Sequence, residues 1–307
     1  MTTSHLDPRL TERRNPRTAA IDLASPLEIV DLLNTEDRTV PDIVAGERVA
    51  IARAIELAES TFRRGGRLFY VGAGTSGRLG VLDASECPPT FGTDPEMVQG
   101  IIAGGVPALT RSQEGAEDVA ADGAAALDAR GVGPSDFVIG IAASGTTPYV
   151  RGALERAIAL GAYTGIIACS PPPAELVARL DVAILPITGP EAITGSTRMK
   201  AGTATKLVLN TISTGAMIRL GKTYGNLMVD LRAMSQKLVD RGERILMEVC
   251  RVPRAEARRL IDAAGGSVKT AIVMAKLGAS RAEAERALAA AGGVIRRVIN
   301  EPPPPVE

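Results

Sequence analysis

The stretch RLFYVGAGTSGRLG, residues 67–80, decides the fold of this chain. It begins as a short apolar run, which predicts a buried strand at 67–71, and it passes through glycines into a helical pattern. Helical patterns also separate most of four further apolar runs, which lie at 97–102, 136–142, 164–168 and 182–187. Continuous apolar strands that alternate with helices are typical of a parallel sheet with helices on both faces, so we predict an α/β fold.

The segments around the sheet suggest further divisions of the 307 residues. Residues 1–45 are interpreted as an N-terminal arm that includes an amphipathic helix at 25–37. Residues 40–66 are interpreted as one long helix that a glycine pair ends. The α/β domain is predicted over 46–245.

The end of the chain has a helical pattern instead. RAEARRLIDAAGG (254–266) recurs as RAEAERALAAAGG (281–293), which is an internal repeat. We therefore predict a small helical domain over 246–300. The proline-rich residues 301–307 are predicted to be a disordered tail.

Composition excludes several kinds of chemistry. Lys and Arg total 35, as do Asp and Glu, so the chain lacks the basic balance of a nucleic-acid binder. No apolar run approaches the roughly 18 residues of a membrane span, and no signal peptide is evident, so we expect a cytoplasmic protein without a membrane partner. His5 is the only histidine, and the cysteines are scattered at Cys87, Cys169 and Cys250, which argues against a metal site or a histidine-based triad.

Two glycine–hydroxyl loops follow the first and third predicted strands. The first loop is GAGTSG (72–77) and the second loop is AASGTT (142–147). Free N–H groups at a helix N-terminus, together with Ser and Thr hydroxyls, suit a phosphate monoester. Since ligands of open α/β sheets bind at the carboxyl ends of strands, we predict a phosphate site formed by Thr75, Ser76, Gly77, Ser144, Gly145, Thr146 and Thr147. The alternative is that these residues are ordinary helix caps and tight turns.

The first loop also matches the G-x-G-x-x-G pattern of dinucleotide-binding proteins. That pattern requires an acidic residue at the end of the second strand to bind the ribose. Here the second strand ends in Ala-Gly-Gly at 103–105, which argues against a nicotinamide cofactor.

A third hydroxyl-rich segment, TGSTRMKAGTATKLVLN (194–210), opens a long apolar helix. Ser196 and Thr197 are expected to cap it, with Arg198 and Lys200 in or near its first turn. Cations are unfavourable there, so a nearby anion would explain them, and Ser196 and Lys200 become candidate ligands of the phosphate. The alternative is that the charges are simply solvated.

Two groups of carboxylates are candidates for acid–base chemistry. Glu86 precedes Pro88, which predicts that the first helix of the sheet ends near Glu86, where the negative end of the helix dipole favours a protonated acid. Glu114, Glu117 and Asp118 are predicted near a helix start, where the dipole favours ionisation. Such a contrast suits an acid–base pair, although each residue also fits a routine cap or a solvated charge.

Five segments taken together resemble the N-acetylmuramic acid 6-phosphate etherase family. They lie in order along the chain, at 72–92, 114–118, 141–150, 195–210 and 225–230. The resemblance implies a sugar isomerase (SIS) fold, which is similar to a flavodoxin-like α/β sandwich, with a small C-terminal helical domain. It also implies a homodimer that needs no cofactor.

The resemblance further implies a reaction in cell-wall amino-sugar recycling or catabolism. N-acetylmuramate 6-phosphate would lose D-lactate by elimination, and water would then add to give N-acetylglucosamine 6-phosphate. By motif, Glu86 corresponds to the proton donor and Glu117 to the second active-site residue, which we take as the base at C2. The loops, with Ser196 and Lys200, would then hold the sugar phosphate. Thr146 stands where family members often carry Arg.

Two alternatives belong to other classes of protein. A non-catalytic sugar-phosphate-binding regulator of the same fold would keep the loops without needing both glutamates, and this chain has both. A nicotinamide oxidoreductase would need the missing ribose carboxylate. Titration with each ligand distinguishes the three.

Overall fold

The computed structural model of the protein describes Asp7, residues 9–230 and residues 236–305, so His5 lies outside the described residues. The chain forms two compact units. The first runs to Ser85 and resumes at Pro95–Ser213, and the second comprises Glu86–Asp94 and the chain from Thr214 onward. Within the described ranges, no helix combines the length and the apolar character needed to cross a bilayer.

A five-stranded parallel sheet organises the first unit, as predicted. Its strands are β1 (Leu68–Gly72), β2 (Val98–Ile102), β3 (Phe137–Ile141), β4 (Tyr163–Ile167) and β5 (Val182–Ile184). Their order is β2-β1-β3-β4-β5, which is the flavodoxin-like order. Every residue of β1 and β3 is buried, as expected for strands covered on both faces.

Eight α-helices accompany this sheet within residues 9–230. They are α1 (Pro26–Asp37), α2 (Val40–Gly46), α3 (Arg48–Arg63), α4 (Gly74–Phe91), α5 (Ala120–Asp128), α6 (Pro148–Ala159), α7 (Ala174–Val177) and α8 (Lys200–Arg219). Phe69 and Val138 of the sheet pack in one core cluster with Leu127 of α5 and Leu154 of α6. This cluster fixes where the loops after β1 and β3 begin.

The prediction of one helix over 40–66 is wrong, because the segment forms α2 and α3. Glu47 separates them with non-helical backbone angles, φ −87° and ψ 9°. Its carboxylate accepts the backbone N–H of Leu185, the residue directly after β5, over 2.9 Å. A tertiary hydrogen bond therefore accompanies a break that helical periodicity does not show.

The second unit is mainly helical, as predicted for the end of the chain. It contains a short hairpin of β6 (Thr223–Tyr224) and β7 (Leu227–Met228), followed by α9 (Gln236–Cys250), α10 (Arg254–Ala263), α11 (Val268–Leu277), α12 (Arg281–Ala290) and α13 (Ile295–Ile299). The two copies of the repeat form α10 and α12. The boundary proposed at 245/246 falls inside α9, whereas the compact units separate at 213/214.

The prediction of a disordered tail is wrong for its first residues. The ammonium of Lys276 lies 2.7 Å from the carboxylate of Glu301, and the hydroxyl of Tyr224 donates to the Glu301 carbonyl over 3.0 Å. A Cβ on Gly225 would lie 2.6 Å from the Pro303 ring, so the chain packs closely there as well. Contacts that are distant in sequence hold a segment whose composition alone indicates disorder.

Candidate active site

The two glycine–hydroxyl loops begin side by side at the switch point of the sheet. Gly72 of β1 and Ile141 of β3 are register partners in adjacent parallel strands. From β1 the chain crosses to β2 on one side, whereas β3, β4 and β5 lie on the other. A crevice outside the strand ends is expected at such a reversal, and it is where open α/β sheets bind ligands.

Close backbone packing shapes the first loop. A Cβ on Gly72 would lie 2.7 Å from the Gly77 nitrogen, and a Cβ on Gly77 would lie 2.8 Å from the Gly72 oxygen. Only glycine therefore lets the first turn of α4 pack against the end of β1. Thr75 and Ser76 are half-buried, and within the described residues their hydroxyls have no hydrogen-bond partner. They remain available to a ligand beside the unpaired N–H groups of a first helical turn.

The shape of the second loop has a different local cause, which is a glycine with a positive φ. Gly145 has φ +75°, and a Cβ there would lie 2.9 Å from the Ser170 oxygen. The N–H and the hydroxyl of Thr146 both donate to the Ser144 hydroxyl oxygen over 3.3 Å, which leaves the Ser144 hydroxyl hydrogen free to donate. Thr147 occupies the N-cap position of α6, but its side chain makes no capping hydrogen bond. The ordinary-cap alternative therefore does not account for the Thr147 hydroxyl.

Glu117 lies beside these loops in a small cavity, which we call the Glu117 cavity. Its volume is about 190 Å³, and its lining includes Ala73, Gly74, Arg78 and the segment 112–117. The carbonyl of Glu117 accepts the N–H of Tyr149, in the first turn of α6, over 3.0 Å. The Glu117 side chain is exposed, and no hydrogen bond or ion pair engages its carboxylate in the described part of the chain. An unpaired carboxylate beside the first loop can act as a base.

Glu86 does not lie at a helix end, so that prediction is wrong. Helix α4 continues through Pro88 and Pro89 to Phe91. Proline lacks a backbone N–H, so it removes one helical hydrogen bond, and its ring crowds the preceding turn. It does not exclude a helix that other contacts stabilise. Gly92 closes the last turn by donating its N–H to the Pro88 carbonyl over 2.9 Å. Glu86 is exposed and belongs to the second compact unit. Its role as the acid therefore rests on the motif and not on the dipole, and its pairing with Glu117 stays a prediction.

The start of α8 is capped by a residue that the sequence interpretation missed. The two oxygens of Glu191 accept the N–H groups of Lys200 and Ala201 over 3.0 and 2.9 Å. Burial raises the pKa of the Glu191 carboxyl, and the two N–H donors oppose that shift. Ser196 and Thr197 therefore do not cap the helix as expected. The Ser196 hydroxyl is half-buried and has no partner among the described residues.

Lys200 is not placed to hold a phosphate, which corrects the sequence prediction. Its ammonium lies 2.7 Å from the carboxylate of Glu36, and both side chains are only 2% exposed. Arg17 donates to the same carboxylate over 2.8 Å. Hydrogen bonds from Arg17, and then from Lys200, lower the pKa of Glu36 to about 2. The anion that the sequence indicated near Lys200 is therefore a residue of the protein itself.

The N-terminal arm holds the segment that contains Ser196. The Gly195 N–H donates to the Thr11 carbonyl over 3.1 Å, and the Thr18 hydroxyl donates to the Ala192 carbonyl over 2.8 Å. The first turn of α8 also lies against the first loop, since a Cβ on Gly202 would be 3.7 Å from the Thr75 methyl group. The structure thus brings together both loops, Glu117 and the start of α8.

The cysteines are poor candidates for nucleophiles. Burial raises the pKa of Cys169 to about 12 and also raises the pKa of Cys250. In the part of the chain that is described, no three His, Cys, Asp or Glu side chains cluster in a way that could hold a metal ion. Carboxylates and hydroxyls are therefore the reactive groups that the site presents.

Known proteins of high sequence identity align with most of this chain. Residues 50–158 match a family model described as the glucokinase regulatory protein N-terminal SIS domain. The chain is 54% identical to an N-acetylmuramic acid 6-phosphate etherase of Parasynechococcus marenigrum over 88% of this chain and 85% of that protein. It is 58% identical to the protein of the same name from Salinibacter ruber over 86% and 85%.

Among solved structures, the chain is similar to phosphoheptose isomerase GmhA from Neisseria gonorrhoeae. The TM-score is 0.44 at 15% identity, covering 61% of this chain and 96% of that one.

Proposed function

The chain belongs to the N-acetylmuramic acid 6-phosphate etherase family, and we infer that it is an enzyme that cleaves the D-lactyl ether of N-acetylmuramate 6-phosphate. The products are N-acetylglucosamine 6-phosphate and D-lactate, and one water is consumed. The observation that carries this conclusion is 54–58% identity to proteins of that name over at least 86% of the chain. The site supports it, because the hydroxyl loops that could bind a phosphate adjoin Glu117, whose carboxylate has no partner among the described residues.

The reaction needs one base and one acid. In the open-chain sugar, the C1 aldehyde acidifies the proton on C2. The base takes that proton, the C–H electron pair becomes the C2=C3 bond, and the C3–O bond breaks with its electrons on the lactyl oxygen, which takes a proton from the acid. Water then adds its hydroxyl to C3 and a proton to C2. No electrons are gained or lost overall, so two carboxyl groups suffice.

We assign the C2 base to Glu117. Its carboxylate is exposed and lines the cavity that Gly74 of the first loop also lines. The backbone bond to Tyr149 ties it to the helix that follows the second loop. A base held between both loops can meet a sugar whose phosphate those loops bind. Glu86 is assigned as the acid by the DASECPP motif.

The 6-phosphate is assigned to the two loops and to Ser196. The hydroxyls of Thr75, Ser76, Thr147 and Ser196 lack partners within the described residues, and Ser144 retains a free hydroxyl hydrogen. Hydroxyls and first-turn N–H groups at two neighbouring helix starts suit a dianion. Gly77 and Gly145 serve by allowing the close packing that shapes each loop.

The test is incubation of the protein with N-acetylmuramate 6-phosphate. We expect equimolar D-lactate, measured with D-lactate dehydrogenase, and N-acetylglucosamine 6-phosphate, measured by mass spectrometry. Unphosphorylated N-acetylmuramate is the control and should be a very poor substrate. Tight binding of the phosphosugar without lactate release would instead support the regulatory alternative, which the SIS family match alone would allow.

The assembly and cellular setting are further parts of the proposal. We propose a homodimer, since large apolar side chains such as Leu23, Leu27 and Val49 are strongly exposed in the single chain. Light scattering of an active species near 32 kDa would contradict it. We also propose a cytoplasmic enzyme of cell-wall amino-sugar recycling or catabolism, because its charged substrate does not cross bilayers unaided.

A further inference from the structure

Arg78 lies in the Glu117 cavity, and none of the sequence reasoning assigned it a role. It follows Ser76 by two residues on α4. Its Nε donates to the Leu109 carbonyl over 3.1 Å, which orients the guanidinium. Of the cavity's lining residues in the described chain, Arg78 is the only Lys or Arg.

Among the described residues, no carboxylate forms an ion pair with Arg78. Glu114 and Glu117 line the same cavity, yet within the described ranges no carboxylate lies within 4 Å of the guanidinium. Glu114 instead accepts a hydrogen bond from the Ser112 hydroxyl over 2.8 Å. The remaining guanidinium N–H groups therefore have capacity for an external anion.

The cavity is too small for a complete phosphosugar. Its volume of about 190 Å³ is below the range of roughly 300–1,000 Å³ that is typical of small-molecule sites. It is the right order of size for one branch of the substrate. The phosphate is already assigned to hydroxyls of the loops, which leaves this cavity for another group.

The proposed substrate carries a second anion, the carboxylate of its lactyl group. That carboxylate is joined through one carbon to the ether oxygen on C3, and C3 is bonded to the C2 at which Glu117 acts. A sugar positioned for Glu117 therefore brings the carboxylate within a few bonds of the same cavity. A planar guanidinium matches a carboxylate with two parallel hydrogen bonds, which an ammonium cannot reproduce.

We propose that Arg78 binds the lactyl carboxylate and is the residue that distinguishes the ether substrate from its product. This inference rests on the proposed function. Arg78 also offsets the repulsion between the substrate carboxylate and the Glu117 carboxylate, because it places a cation in the cavity that Glu117 lines. N-acetylglucosamine 6-phosphate has no carboxylate, so it gains nothing from Arg78 and leaves more readily.

The test compares two ligands in three variants. Arg78→Met removes the charge and keeps much of the volume, Arg78→Lys keeps the charge but not the bidentate geometry, and Arg111→Met removes an exposed arginine that does not line the cavity. We measure kcat/KM for N-acetylmuramate 6-phosphate and the inhibition constant of N-acetylglucosamine 6-phosphate, with thermal unfolding as a check on folding.

We expect Arg78→Met to lower kcat/KM by about ten- to a hundredfold, with a smaller loss in Arg78→Lys. The inhibition constant of N-acetylglucosamine 6-phosphate should stay within about twofold, and Arg111→Met should match the wild type. An equal loss for both ligands would place Arg78 at the phosphate and overturn the inference, as would unchanged kcat/KM. Absence of lactate release by the wild type would instead overturn the proposed function itself.

Discussion

The first loop and the start of α8 look alike in sequence. They differ in whether residues of the protein pair with their polar and charged groups. Both place Gly, Ser and Thr at or just before a helix start, and both have a cation close by, Arg78 in one and Lys200 in the other. Around the first loop, the hydroxyls and the guanidinium have no ionic partner within the described residues. At the start of α8, the Glu191 carboxylate accepts the N–H groups of Lys200 and Ala201, and the Glu36 carboxylate accepts a hydrogen bond from the Lys200 ammonium. Of the groups compared there, the Ser196 hydroxyl has no partner among the described residues. A ligand site is therefore distinguished by unsatisfied groups rather than by residue type.

The largest expected effect concerns the Glu117 cavity beside the first loop. Glu117→Gln should lower D-lactate release by about 10²–10⁴-fold, because a C2 base is lost. It should also abolish exchange of the C2 hydrogen in deuterium oxide, measured by NMR of recovered substrate. The urea unfolding midpoint should not change, since the carboxylate is exposed and unpaired within the described chain.

Glu86→Gln is the matched contrast to Glu117→Gln. It retains the base, so the C2 hydrogen should still exchange while little lactate is released. Exchange that persists in Glu117→Gln and disappears in Glu86→Gln would reverse the two assignments. Normal release by either variant would remove that residue from the mechanism.

The next effect concerns the stability contributed by the buried ion pair at the start of α8. Lys200→Met should lower the free energy of unfolding by about 3–5 kcal/mol, because it removes one partner of a buried ion pair. Lys206→Met, an exposed change on the same helix, is the control and should be nearly neutral. Urea unfolding measures both. Weaker phosphosugar binding by Lys200→Met without any loss of stability would show that Lys200 serves the ligand after all.

Ser144→Ala should have the opposite effect to Lys200→Met, with weaker ligand binding and little change in stability. Loss of a charge-assisted hydrogen bond should weaken binding of the 6-phosphate by about one to two orders of magnitude. Stability should change little, because in the described part of the chain only the neighbouring Thr146 donates to this hydroxyl. Calorimetric titration with N-acetylglucosamine 6-phosphate checks the first expectation, and unchanged affinity would remove Ser144 from the phosphate site.

A further expected effect is a pH dependence of stability. The pKa of Glu36 lies at about 2 in the folded protein, below its ordinary value of 4.5, because Arg17 and then Lys200 hydrogen-bond to its ionised form. The folded state therefore gains stability from Glu36 above pH 4.5 and loses it as the pH falls towards 2. Denaturation at several pH values should show this loss in the wild type and a smaller slope in Glu36→Gln. Equal slopes would contradict the assignment.

Much of the sheet and both loops could be predicted from local pattern. Apolar runs of about five residues mark β1 to β4, and the residues that separate strands from helices mark the loops. The errors share one cause, which is a partner that is remote in sequence. Glu47, where the helical pattern is interrupted, accepts a hydrogen bond from the Leu185 N–H. Glu301, at the start of the tail, forms an ion pair with Lys276. Local periodicity carries no information about such pairs.

The sequence by itself determined the α/β class, the helical end of the chain, the two loops and, through its motifs, the resemblance to an etherase family. These follow from short-range properties, namely apolar periodicity, glycine at tight turns and ordered motifs. Only the tertiary structure decided that Lys200 is neutralised by Glu36, 164 positions away, while no carboxylate among the described residues pairs with Arg78. The physical reason is that the interaction of a charge depends on distance and burial in three dimensions, which residue identity does not specify.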